Sequence, residues 1–187
     1  HIRQSTDDGD MKFECDDGNG GTTEYFRLDG SAATYDGGTT ALYTLFPDKS
    51  VLGLGSRAEG DMRLYHNGSN SYIYNYTGNL EINNHTDDGD IIFQCDDGSG
   101  SITAYLTLDG GDGFTVAAKK IRHKDNVEAS FGNSDDMMIK HDGTDGFIQE
   151  YTGDLYIKNQ TDNKDIIFQS DDGSGGVGEY FRLDGSQ

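Results

Sequence analysis

The residues best equipped for chemistry recur at matched positions. His66 and His141 each close an apolar alternation and precede Asn-Gly or Asp-Gly, in "MRLYHNG" and "MMIKHDG". Symmetry copies meeting on an axis would offer imidazole nitrogens suited to a transition metal. Each unit has one such histidine, not a closely spaced pair, so the expectation is a ring that caps the strand end and bonds its own turn. Acid-rich turns at residues 7–10, 96–98 and 171–173 carry oxygens of the kind that calcium gathers six to eight at a time. None follows the Asp-x-Asp-x-Asp-Gly loop with a distal Glu, and residues 110–114 hold only a fragment of the calcium nonapeptide, so solvated turns are expected. Cys15 and Cys95 share a position where a third copy has Ser170. That exchange suits a small packed group, not a disulfide or a catalytic thiol.

Other chemistries lack their context. Gly53-Leu54-Gly55 has no strand-to-helix setting for a phosphate loop. No nucleophile elbow is present, and the 34 acids lie in repeated turns, where a glycosidase pair would break the repeat. The sequence is therefore expected to be no enzyme and to need no cofactor or metal. The eleven tyrosines, among them Tyr72, Tyr74, Tyr76 and Tyr151, suit both half-wet strands and stacking on sugar rings. Asn-x-Ser/Thr sequons starting at Asn67, Asn75, Asn84 and Asn159 fall in Asn-rich turns, where chance produces them.

Composition narrows the partners. A formal charge of −20 on 187 residues repels nucleic acid and anionic membrane. No apolar run approaches the roughly 18 residues of a spanning helix. Ile, Leu, Val and Phe make up about 19% of the chain, a level that with this charge borders on disorder. Regular alternation argues for folding nonetheless, and so little oil points to several chains pooling their apolar faces.

What positions these residues is a repeat. "TDDGDMKFECDDG" starts at Thr6, "TDDGDIIFQCDDG" at Thr86 and "TDNKDIIFQSDDG" at Thr161; "YFRLDG", "YLTLDG" and "YFRLDG" follow at Tyr25, Tyr105 and Tyr180. Both series step by 80 and then 75 residues. The reading divides the chain into 1–30, the end of a first repeat, 31–110, a second, and 111–187, a third. Such a chain is expected to be a piece of a longer polypeptide.

Within the second unit, period-2 alternation appears in short segments closed by turn signals. "DMRLYH" sets Met62, Leu64 and His66 on one face, "SYIYNY" follows, "NLEIN" aligns Leu80 with Ile82, "DIIFQC" aligns Ile91, Phe93 and Cys95, and "ITAYLTL" closes the unit. Asn-Gly and Asp-Gly permit tight hairpins. Each unit reads as an antiparallel meander of about five strands. Residues 115–132 and their counterpart, 34–55, read as extended or irregular chain with room for one helical turn. The apolar faces recur: Met62, Leu64 and His66 correspond to Met137, Ile139 and His141, while Arg63 faces Met138 and Glu81 faces Tyr156 across the alignment. One kept face and one drifting face describe a sheet covered on a single side. Two solutions are open: the units cover each other within one chain, or identical chains share the face around an axis. The second is preferred, as a parallel homotrimer.

The strings "DMRLYHNGSNSYI", "YTGDLYIKNQTDNKDIIFQSDDGSGG" and "EYFRLDG" resemble the repeats of tail fibre and related virion appendage proteins of marine phages, cyanophages in particular. The resemblance covers residues 61–110 and 135–185, with a partial copy over 2–30. It implies an all-β, elongated, trimeric fibre of stacked units on the virion surface, outside the cell, supporting host attachment. Its partners would be its own copies, other virion proteins and a host-surface glycan. No tip domain or intramolecular chaperone domain is visible, which implies shaft. A glycan-binding β module and a secreted bacterial adhesin or matrix fibre are the alternatives.

Overall fold

The computed structural model describes residues 1–35 and 40–186. The part of the 34–55 expectation that falls on residues 36–39 lies outside the described residues. Every regular element described is a strand, and no helix occurs among the described residues. The strands form five small antiparallel sheets, each in simple meander order. The chain divides into two compact units, His1–Asn84 and His85–Gln187.

In the first unit, β1 (Met11–Asp16), β2 (Thr22–Tyr35) and β3 (Thr40–Leu45) make one sheet. β4 (Leu52–Leu54), β5 (Met62–His66) and β6 (Ser71–Asn75) make another. In the second unit, β7 (Ile91–Asp96), β8 (Ile102–Leu108) and β9 (Thr115–Ala117) form a sheet. β10 (Ala129–Phe131), β11 (Met137–His141) and β12 (Gly146–Glu150) form the next, and β13 (Ile166–Asp171) with β14 (Val177–Leu183) forms a two-stranded one. The sheets run across the sequence divisions after Gly30 and Gly110 at two places, because a repeat fixes a period and leaves its phase open.

The five-strand meander is corrected by this arrangement. "NLEIN" is not a strand, and neither is its counterpart around Leu155 and Ile157. Both segments alternate, but neither has a neighbour with which to form a ladder, and isolated strands do not persist in water. The chain leaves β6 through a turn in which Asn75 Nδ2 donates to the Gly78 carbonyl at 2.9 Å. The four three-stranded sheets are completed by β3, β4, β9 and β10, all in the 34–55 and 115–132 segments expected to be extended or irregular.

Three hairpins pair alike. Met11 faces Leu28, Ile91 faces Leu108 and Ile166 faces Leu183. Each register shifts at the same point, leaving Tyr25, Tyr105 and Tyr180 unopposed as the extra residue of a β-bulge. Each tyrosine hydroxyl donates back across the hairpin, to the carbonyls of Asp16 (2.9 Å), Asp96 (2.9 Å) and Asp171 (3.0 Å). The bulge residue is thus pinned where an unpaired backbone would otherwise loosen the ladder.

A clasp closes the open end of each of these hairpins. Asp8, Asp88 and Asn163 sit in the left-handed region at φ 55°, 56° and 57°, which Asp and Asn tolerate. The turn they form brings the next acid to the end of the returning strand. Gly30 N–H donates to Asp10 Oδ1 at 3.1 Å, Gly110 N–H to Asp90 Oδ1 at 3.0 Å and Gly185 N–H to Asp165 Oδ1 at 3.0 Å. A Cβ at any of these glycines would overlap a carbonyl oxygen, that of Gly9, Gly89 or Lys164. The distant "TDDGD" and "LDG" strings are therefore two halves of one contact.

Candidate interaction surface

Pairing register decides what each sheet presents. Antiparallel partners project to the same side, so Met11, Phe13, Phe26 and Leu28 share a face while Lys12, Glu14, Glu24 and Arg27 share the other. The apolar side repeats as Ile91, Phe93, Leu106 and Leu108, then as Ile166, Phe168, Phe181 and Leu183. Phe13 stacks on Phe26 at 4.4 Å and Phe168 meets Phe181 at 5.5 Å. In the alternate sheets, Leu52, Leu54, Met62, Leu64 and Ile73 share a face, as do Ala129, Phe131, Met137, Ile139 and Ile148.

These faces are not covered. Met138 is the one buried hydrophobic residue among those described, and it belongs to the opposite side of its sheet. Ile73 and Ile148 are each 58% exposed, and Phe13, Phe93 and Phe168 are exposed as well. The chain has an accessible surface of 15197 Å². Two separate globular units of these lengths would expose about 10,600 Å² in total by the scaling of area with mass. The difference, about 4,600 Å², is several times the roughly 800 Å² that one partner contributes to a standard interface.

The polar residues serve the turns. Asp17, Asp97 and Asp172 occupy one place in three hairpin turns. Asp17 Oδ1 accepts from the amides of Asn19 (2.8 Å) and Gly21 (3.0 Å), Asp97 Oδ1 from Ser99 (2.7 Å) and Ser101 (3.2 Å), and Asp172 Oδ1 from Ser174 (2.8 Å) and Gly176 (3.1 Å). Backbone donors of Asn19 and Gly21 hold the Asp17 carboxyl below the ordinary 3.8, the Ser99 hydroxyl and amide do so first for Asp97, and the Ser174 amide for Asp172. In the alternate hairpins Asp142 accepts from Thr144 and Asp145 at 2.9 and 2.8 Å, while Asn67 accepts from Ser69 and Asn70 at 2.9 Å each. A neutral amide does the same work, so the oxygen matters there and the charge does not.

His66 Nδ1 lies 3.3 Å from Ser71 Oγ across its hairpin, and His141 Nδ1 accepts from the Gly143 amide at 3.1 Å and lies 3.0 Å from Asp125 Oδ1. Both rings are at strand ends beside their turns. Among the described residues, no three of His, Cys, Asp and Glu gather in a way that would hold a metal ion. Cys15 and Cys95 are free and exposed, so within a single chain they are not the packed groups that the Cys-for-Ser exchange suggests.

Two arrangements escape a strand-by-strand reading. Arg27 pairs with Glu24 and Asp29 at 2.8 Å each, and Arg182 with Glu179 at 2.7 Å and Asp165 at 3.0 Å. The middle hairpin has Ala104 and Thr107 at the Glu24 and Arg27 positions, so acid and base are lost together. That joint loss is the signal the sequence offered. Asp29, 6% exposed, also accepts from Ser31 Oγ and the Ala32 amide at 2.8 Å each. These two donors, and then Arg27, hold its carboxyl below 3.8.

Four of the tyrosines gather in one place. Tyr65 stacks on Tyr72 at 4.8 Å and meets Tyr74 edge-on at 5.8 Å; Tyr74 meets Tyr76 at 6.0 Å. Arg63 lies over the Tyr76 ring at 4.4 Å, and Arg57 is 5.5 Å from its centre. Tyr151, the counterpart of Tyr76, is exposed and has no such cluster around it, since Lys140, Phe147 and Gln149 stand where Tyr65, Tyr72 and Tyr74 do.

Compared with family models, curated proteins and solved structures, the chain matches none of them.

Proposed function

We propose that this chain is a shaft segment of a phage tail fibre or related virion appendage, in which identical chains run parallel as a homotrimer and bury their shared apolar faces around the axis. The observation that carries this reading is the exposed apolar side found on every sheet, spaced at the 75–80-residue period. A single acidic chain gains little by folding with its oil in water, whereas two neighbours per chain would cover surface on the scale of the excess. The role is mechanical: stacked units give length, and length holds an attachment element away from the particle. Mass in solution tests it. Sedimentation or light scattering should give about three times 20.4 kDa. A 20.4 kDa species at all concentrations and salt levels would overturn the reading.

The tyrosine cluster on β5 and β6 favours a second reading, a surface that stacks on sugar rings of a host glycan. A glycan array probed with the chain tests it, with Tyr74→Ala and Tyr76→Ala as controls. Absence of any hit leaves the cluster as a device that covers one sheet face.

A further inference from the structure

The bases of this acidic chain are unevenly placed. From His85, where the second unit begins, to Ala118 there are seven acids and no Lys or Arg; Lys119, Lys120, Arg122 and Lys124 then fall within six residues. All four are exposed, as is Ile121 between them, at 64%. None of the four pairs with a described carboxylate.

Pairing register matches this stretch to one in the first unit. Leu28 faces Thr44 and Leu108 faces Thr115, so Pro47 and Ala118 hold equivalent positions. The Ala118 amide donates to the Tyr105 carbonyl at 3.1 Å. Pro47 has no amide to offer, and the Tyr25 carbonyl accepts from Ser50 Oγ at 2.6 Å instead, over a turn closed by the Ser50 amide on the Pro47 carbonyl at 2.9 Å. The first segment thus folds back on its hairpin. The second runs on: from Lys119 to Asp125 no amide bonds to a described backbone carbonyl. Because β9 is antiparallel to β8, the chain leaves it heading for the end of the hairpin where Asp96 and Asp97 turn. Lys119 Nζ lies 5.9 Å from the centre of the Tyr105 ring, whose hydroxyl bonds to the Asp96 carbonyl. The two carboxylates there accept from their own turn, Asp96 Oδ1 from the amides of Gly98 (2.9 Å) and Gly100 (3.3 Å), and Asp97 Oδ1 from those of Ser99 and Ser101. Each carboxylate has about four acceptor sites, so charge and lone pairs remain for a partner.

We propose that residues 119–124 bind the Asp96-Asp97 turn of an adjacent identical chain. The inference rests on the parallel homotrimer proposed above, since parallel chains in register bring the run of one beside the turn of the next. Screening confines such attraction to about 8 Å at physiological salt, so local blocks of charge decide the contact and the net charge of −20 does not. A single exposed pair contributes little, but a cluster of bases set between acidic turns also relieves the repulsion that like chains would otherwise feel along their seam. An anionic polymer from outside would meet the same bases only after approaching through the field of the surrounding acids.

The test mixes light and heavy isotope-labelled chains, refolds them together and treats them with a carbodiimide, which joins amine to carboxylate without a spacer. Peptides linking Lys119, Lys120 or Lys124 to Asp96 or Asp97 should carry mixed labels. Replacing the run by Lys119→Gln, Lys120→Gln, Arg122→Gln and Lys124→Gln together should weaken association at low salt about tenfold and remove its salt dependence. A trimeric mass with these lysines linked only within their own chain, or only to other acids, would overturn the proposal and leave the shaft reading standing. A mass of 20.4 kDa would overturn both. Retention on dextran sulfate that the glutamine variant loses, with no mixed-label link, would assign the run to an anionic polymer and overturn the proposal as well.

Discussion

The hairpins β5–β6 and β11–β12 fold the same way and solve different problems. Both place His beside the turn, both set Met and an aliphatic residue on one side, and both leave an isoleucine, Ile73 or Ile148, 58% exposed. Their other sides share almost nothing. One has Arg63, Tyr65, Tyr72 and Tyr74 packed ring on ring; the other has Met138, Lys140, Phe147 and Gln149. The side that differs is the side that the single chain covers for itself, as buried Met138 shows. The side held in common is left in water. Cover within one chain can be achieved by many combinations of residues, whereas the proposed trimer would require its shared face to suit identical neighbours all at once.

The comparison breaks most decisively if the common side is not an interface. Ile148→Asp should abolish association, with the sedimenting mass falling to 20.4 kDa, while Tyr65→Ser on the differing side should leave the mass unchanged. Equal effects from the two would sink the distinction. Next in size is the differing side itself. Met138→Ala should cost about 2–4 kcal/mol in denaturant unfolding, as expected for emptying a buried site. Arg63→Met, which installs the residue of the sister hairpin, should change stability by less than about 1 kcal/mol.

A smaller effect separates what the hairpins require from what they tolerate. Tyr105→Phe keeps the ring and loses the bond to the Asp96 carbonyl, and should cost about 0.5–1 kcal/mol with faster exchange around the bulge. Smallest at neutral pH is Asp142→Asn, since Asn67 already fills that place in the first unit. The amides of Asp145 and then Thr144 hold the Asp142 carboxyl below 3.8, so its favourable contribution is complete above about 3.8 and disappears as pH falls through the folded value. The asparagine variant has no such titration. The two proteins should match at pH 7 in thermal melts, and the aspartate protein should lose the greater stability as the pH drops below about 3.8.

Much of this was legible beforehand, for local reasons. Alternation at "MRLYH" and "IIFQC" and the Asn-Gly and Asp-Gly turns specify hairpins because both strands and the turn lie in one short stretch. The kept face was likewise readable by laying Met62 and Leu64 over Met137 and Ile139. "NLEIN" misled because alternation reports which way side chains would point and is silent on whether a partner strand exists. The weak segments at Leu52–Leu54 and Ala129–Phe131 became strands because β5 and β11 offered them an edge. The bulge left a trace in the adjacent aromatic pair Tyr25-Phe26, which cannot both face inward in a regular strand. The shaft and the trimer are of another kind: they concern chains outside the molecule and stand as proposals.

The clasps carry a consequence for a chain under load. Each ties two residues 20 apart, Asp10 to Gly30, Asp90 to Gly110 and Asp165 to Gly185, at the end of a hairpin where the chain enters and leaves. Tension pulling on the chain would pass across the clasp and not through the hairpin behind it. When a clasp yields, the hairpin would unzip from that end and release about 70 Å of slack. Three clasps of equal span would make three equal extensions, so a jolt would be absorbed in steps while the remaining hairpins kept their register.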